Sequence, residues 1–176
     1  MLNEVEFYMT LEELEKRLRE TEKRLLAAEL KIRINQDIEQ IKQLHQRYMN
    51  ALAFIKWDDI IDCFADDCSI DVQFGGLIKG KANVANFFRE QLSRIHNGKE
   101  GIFAIHPQIT VDGEKAKGNW LMYIMYADPR TWQSRYWLQG IYDADYVRVK
   151  RQWKFSYLQW RPRLEPPGPP PPTMAP

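Results

Sequence analysis

Net charge is what this sequence most plainly lacks. Its 176 residues carry 25 basic and 24 acidic side chains, for a formal charge of +1. Lys and Arg are mixed with Asp and Glu almost everywhere, whereas counterion release on nucleic acid or an anionic membrane needs a basic face. Neither is expected as a partner. Cysteine is nearly as scarce: Cys63 and Cys68 are the two present, too few for a disulfide scaffold, and they read as small buried thiols. The three histidines are scattered singly, without the four converging ligands a zinc site needs. No metal and no cofactor is expected. Neither a Gly-rich phosphate loop nor a Gly-x-Ser-x-Gly elbow occurs, which excludes phosphoryl transfer and serine hydrolysis. The longest apolar run, Trp120 to Ala127, is eight residues, far short of the ~20 that span a bilayer. Residues 1–10 contain Glu4 and Glu6 and no basic start followed by an apolar stretch, so a cytoplasmic location is expected.

What is present falls into three zones: a helical arm at 1–33, a mixed domain at 34–161 and a Pro-rich tail at 162–176 with eight prolines in its fifteen positions. The arm opens on Thr10 and Glu13, a capping box in which each side chain satisfies the other's free backbone N–H. Leu11, Leu14, Leu18, Thr21, Leu25, Ala28 and Ile32 follow at alternating intervals of three and four, the spacing of a coiled-coil seam. Pairs such as Glu12–Lys16 and Glu15–Arg19 add roughly 0.2–0.5 kcal/mol each, too little for a lone helix. The seam therefore has to bury itself against the following domain or another copy, and a homo-oligomer, dimer or trimer, is expected.

A second stripe, Ile34, Ile38, Ile41, His45, Tyr48 and Leu52, breaks phase with the first and predicts a separate helix facing the core. Trp57–Phe64 reads as a short helix, Ser69–Phe74 as a strand and Ala82–Ile95 as a third helix. After that the period changes to two: Ile102–Val111, the Asp112-Gly113 turn, Lys115–Tyr126, then the hairpin of Arg135–Val149 and Gln152–Arg161. The expected fold is α+β, a cone-shaped curved antiparallel sheet packed against three helices. The tail should be extended and solvated.

Twelve of the 22 aromatic residues lie between 120 and 160. Trp120, Met122, Ile124 and Tyr126 share one strand face while Leu121, Tyr123 and Met125 share the other, so both faces are apolar. One face should line a core or pocket and the other should meet another subunit. An aromatic-lined pocket for a flat apolar ligand is one reading; packing alone is the other. Polar groups on the same elements would supply an acid, a base and a hydrogen-bond donor around one cavity. Tyr48, Asp71 and His106 are the candidate catalytic residues. Trp57, Trp120, Tyr123, Tyr142 and Asp145 are the candidate substrate contacts.

The segments IKQLHQRYMNALAFIKWDDIIDCFADDCSID, GKANVANFFREQL, ITVDGEKAKGNW and GIYDADYVRVKRQWKF resemble, in order and content, the SnoaL-like branch of the nuclear transport factor 2 (NTF2-like) superfamily. The likeness covers roughly residues 34–161, and the preceding helix looks like that of bile-acid 7α-dehydratase relatives. The resemblance implies a cone-shaped α+β barrel with an apolar pocket and frequent dimers or trimers. It places Tyr48 where ketosteroid isomerases keep their oxyanion-binding tyrosine. Their basic Asp falls on Val72, beside Asp71, and their second Asp near Asp145. Dehydratases and dehydrochlorinases of the family keep an Asp on the tyrosine's helix and a His on the strand before Pro107; here those places hold Ala53 and Ile102. The implied activity is a cofactor-independent lyase, of elimination, dehydratase or retro-aldol type, on an apolar aromatic or polycyclic small molecule. A ketosteroid-isomerase-like isomerase and a non-catalytic small-molecule-binding module are the alternatives.

Overall fold

The computed structural model describes residues 10–72, 75–128, 130–131 and 133–164. Residues 1–9 and most of the Pro-rich tail, from 165 onward, lie outside them. The chain divides into two compact units, Met1–Asp37 and Ile38–Pro176.

The capping box forms as the sequence requires: the Glu13 carboxylate accepts from the Thr10 N–H at 2.9 Å and Thr10 Oγ1 accepts from the Glu13 N–H at 3.2 Å. From there one helix, α1, runs unbroken over Leu11–Ala53. The phase break at Ile32–Ile34 was expected to separate two helices. It changes the apolar face while the backbone continues, because no Gly or Pro interrupts residues 11–53. In the first unit every seam residue is exposed. In the second, Ile41, His45, Tyr48 and Leu52 are buried, as their stripe predicts.

The second unit continues with α2 (Trp57–Asp62), β1 (Phe64–Val72), β2 (Gly76–Lys79) and α3 (Lys81–Asn86). A π-helical turn at Phe87–Gln91 and a 3₁₀ turn at Leu92–Arg94 extend α3. Four long strands follow: β3 (Gly101–Asp112), β4 (Lys115–Ala127), β5 (Ser134–Val149) and β6 (Gln152–Leu164). The fold is α+β, with three helices and one curved, unclosed six-stranded sheet of order β2-β1-β6-β5-β4-β3. Six of the expected elements, α2, α3 with its two turns and β3 to β6, lie within three residues of their expected bounds; β1 starts five residues earlier than expected, at Phe64, and β2 was not expected. Two further details differ. β1 joins β6 in parallel rather than antiparallel, because the chain crosses from the sheet's far edge. Pro162 also continues β6 opposite Gly140 instead of opening the tail. The β5–β6 turn is built from Lys150 and Arg151, both at positive φ, the backbone of a two-residue hairpin turn made without glycine.

The core lies between the helices and one sheet face. Phe64, Phe155, Ile41, Leu52, Ile60 and Ile70 are essentially inaccessible there, each contributing about 1.5–3 kcal/mol by burial. The opposite face of β3–β5 carries Phe103, Met125 and Trp137, all exposed. Gly140 is dictated by a close approach: an added Cβ would overlap the Trp160 ring. Gly140→Ala should cost about 1–3 kcal/mol and lower Tm by roughly 2–4 °C per kcal/mol. A thermal melt showing an unchanged Tm would contradict this packing.

Candidate functional site

The helices and the buried sheet face enclose a cavity of about 50 Å³. Its wall is largely Leu, Ile, Val, Met and Phe, and four groups on it carry chemistry: Tyr48, His96, Tyr126 and Tyr142. Trp160 also lines it. At this size the chamber holds a few waters, well below the ~300 Å³ at which ligand pockets usually begin. Of the aromatic residues between 120 and 160, Trp120, Tyr142, Tyr146, Trp153 and Phe155 are buried, and only Tyr126, Tyr142 and Trp160 among those described line the cavity.

Two of the eight residues expected from the sequence, Tyr48 and Tyr142, meet at the cavity. Tyr48 comes from the buried stripe of α1 and Tyr142 from the inward face of β5. Their phenols are hydrogen-bonding neighbours, each affecting the other's ionisation, and either hydroxyl can be the donor. Burial pushes both upward, Tyr142 to about 12 and Tyr48 well above the usual phenol range, so both stay protonated. One O–H of the pair is used in that contact, which leaves the other to donate to a guest.

The other six stand elsewhere. Asp71 alternates with Ile70 and Val72, which line the cavity, and the β1–β6 register is regular from Ser69 to Val72. Period two therefore sends Asp71 to the opposite face, where Gln159 Nε2 donates to its carboxylate at 2.8 Å. His106 is exposed at φ 51°. The β3–β4 register slips between Ile105 and Gln108, since Pro107 has no N–H to give the ladder, and the bulge carries His106 away from the cavity. Asp145 sits on the outer face, 3.9 Å from Lys117. Tyr123 is on that face too, accepting from Gln139. Trp57 packs 6.4 Å from Phe88 at the core's edge. Trp120 is buried and donates through Nε1 to the Tyr146 hydroxyl at 2.9 Å; that hydroxyl in turn lies 3.3 Å from His45 Nδ1. His45 stacks on Trp120 at 4.0 Å.

The group that the sequence reading did not select is His96. It follows the 3₁₀ turn, is buried, and has Nδ1 3.9 Å from Glu100 Oε2 with both side chains almost fully enclosed. Glu100 is held by its own segment: its carboxylate accepts the N–H of Asn97 at 2.8 Å and of Gly98 at 2.9 Å. Gly98 adopts φ 79°, a turn conformation suited to glycine. Burial lowers the His96 pKa and the Glu100 charge opposes that shift. Nδ1 is the ring nitrogen nearer the carboxylate; at 3.9 Å it is beyond hydrogen-bond distance and has no hydrogen-bond partner among the described residues. The signal in the sequence was a His and a Glu four apart around Asn97-Gly98. Among the described residues, no three His, Cys, Asp or Glu side chains converge as a metal site.

The match to the SnoaL-like domain family spans residues 34–159. The chain belongs to that family. Among curated proteins none matches it. Solved structures related to this SnoaL-like domain include a hexachlorocyclohexane dehydrochlorinase, LinA-type3, from Novosphingobium barchaimii. That protein is 19% identical, with 72% of this chain and 86% of that one covered at a TM-score of 0.61. An NTF2-like protein with a cystatin-like fold from Novosphingobium aromaticivorans is 19% identical over 86% and 88%, TM-score 0.61. An NTF2-like superfamily protein from Salmonella enterica is 14% identical over 72% and 91%, TM-score 0.63. At these identities the likeness establishes the fold, which hosts unrelated activities. No helix among the described residues is long and apolar enough to cross a membrane.

Proposed function

We propose that this SnoaL-like domain is a cofactor-independent lyase acting on a small apolar molecule, with His96 as the general base. The observation that carries the reading is a buried histidine, backed by a buried carboxylate, on the wall of the same apolar cavity as a hydrogen-bonded tyrosine pair. Lowered by burial, His96 is neutral near pH 7 and free to accept a proton. In an elimination, Nε2 takes a proton from a substrate carbon and the C–H electron pair forms the new double bond. The bond to the leaving group breaks, and that group departs with its electron pair. Glu100 stabilises the imidazolium, which returns its proton to water afterwards. Tyr142 donates to the oxygen on which charge collects, and Tyr48 holds Tyr142 in place. The presence of a dehydrochlorinase among the structural relatives agrees with this chemistry.

The cavity's volume restricts the substrate. An aromatic guest, the class expected from the sequence, requires the half-buried Trp160 to leave its seat on Gly140; a polycyclic one requires more. The same volume favours a second reading, a binding module without catalysis. The test is a panel of small β-halo and β-hydroxy carbonyl compounds, phenolic β-hydroxy ketones and chlorinated cyclohexanes, each followed by mass spectrometry for loss of HX or water. Turnover of one class is expected. Tyr142→Phe should then lower kcat by about 10²–10³-fold and Tyr48→Phe by roughly tenfold, through loss of one orienting hydrogen bond. A ligand that raises Tm without being consumed would favour the binding module. Equal kcat in wild type and Tyr142→Phe would remove the tyrosine from the mechanism.

A further inference from the structure

We propose that residues 11–32 of α1 pair with the same segment of a second copy of this chain as a parallel, in-register, two-stranded coiled coil. The seam is exposed in the single chain: Leu11 is 81% accessible, Leu18 60%, Leu25 57% and Ile32 57%. Those four residues occupy the a positions of consecutive heptads, and Leu14, Thr21 and Ala28 occupy d. The charged positions beside the seam decide the partner and its direction. All three e positions are acidic, Glu15, Glu22 and Glu29, and all three g positions are basic, Arg17, Arg24 and Lys31.

In a parallel pair, g of one helix faces e of the next heptad on the other. Arg17 then meets Glu22 of the partner subunit and Arg24 meets Glu29 of the partner subunit, with the same contacts repeated by the two-fold axis. An antiparallel pair would set e against e and g against g, carboxylate on carboxylate and guanidinium on guanidinium. The pattern is self-complementary in one orientation only, which is why a second copy fits it. Small side chains at d, Thr21 and Ala28, let two helices approach closely and leave too little apolar volume to fill a three-stranded core. Leu26 and Leu30 are exposed on the outer side and are too few for a second seam.

Cysteine cross-linking of the full-length chain tests orientation and register together. Cys63 and Cys68 are fully buried, so wild type supplies the background. Leu14→Cys and Ala28→Cys, oxidised separately, should each yield a disulfide-linked dimer. Lys23→Cys, at the outward f position, should not. Adding Leu18→Glu with Leu25→Glu should abolish the linkage without moving the melting of the second unit, because both sites are exposed. Light scattering of the wild type should give the mass of two chains. The proposal is overturned by a mass of one or three chains, or by linkage that survives the Glu substitutions. It is equally overturned if neither d variant self-links, or if Lys23→Cys links as readily.

Discussion

His96→Gln should lower kcat on the consumed class of compound by about 10²–10⁴-fold, the range for loss of a general base, with KM changed far less. Gln is similar in reach and can still hydrogen-bond, but it takes up no proton at neutral pH. The fold should persist, since Glu100 keeps its two backbone donors at Asn97 and Gly98. Glu100→Gln is the informative companion. Glu100 is a positioning residue whose charge raises the His96 pKa against the effect of burial. Removing that charge should let the pKa fall further and shift the acid limb of the kcat/KM profile to lower pH. A purely structural Glu100 would change the rate without moving the limb. Stopped-flow or discontinuous assays between pH 5 and 9 distinguish the two.

Acidification should destabilise the second unit from about pH 6.5 downward, before its carboxylates begin to take up protons, and His45 is the reason. Its ring has no accessible surface, its Nε2 finds no hydrogen-bond partner among the described residues, and burial lowers its pKa from 6.5 to about 3. The unfolded chain therefore binds a proton between those two values that the native state refuses. Stability is fully present above about pH 6.5 and drains away as pH falls toward 3. The depression corresponds to about 5 kcal/mol at 1.36 kcal/mol per pH unit, a large share of the 5–15 kcal/mol that holds a typical domain. His45→Phe should flatten this dependence. It keeps the stack on Trp120 and removes the orphaned Nε2, while costing the Tyr146 hydroxyl one neighbour. Urea melts at pH 7, 5 and 4 measure both proteins; parallel pH dependences would show that another group controls acid unfolding.

Which parts of this molecule are legible in its sequence follows from which interactions are local. The period-two runs of β3 to β6 and the Ile41, His45, Tyr48, Leu52 stripe need only one buried face each to declare themselves, and they sit where the pattern puts them. Tyr48 and Tyr142 were found for the same reason: inward phase plus a polar tip. The parallel pairing of β1 with β6 was not legible, because it joins segments some ninety residues apart. Nor was the position of His106, whose facing depended on the one-residue slip at Pro107. Asp71 was the opposite case, since strict alternation already placed it away from Ile70 and Val72. His96 was overlooked because it lies in a non-periodic stretch, where neither strand nor helix phase says which way a side chain points. Its burial comes from the neighbouring turns and from Tyr126, whose ring lies 5.9 Å away.

Histidine ring 15N and 13C shifts, followed by NMR from pH 5 to 8 with and without the compound turned over, test the central claim most directly. With three histidines in the chain, single His→Gln variants assign each resonance. The account predicts that His96 is neutral at pH 7 as the Nδ1–H tautomer, with a titration midpoint below 6.5, and that the compound shifts its Nε2 resonance. An imidazolium at pH 7, the opposite tautomer, or a His96 signal indifferent to a bound compound would contradict it.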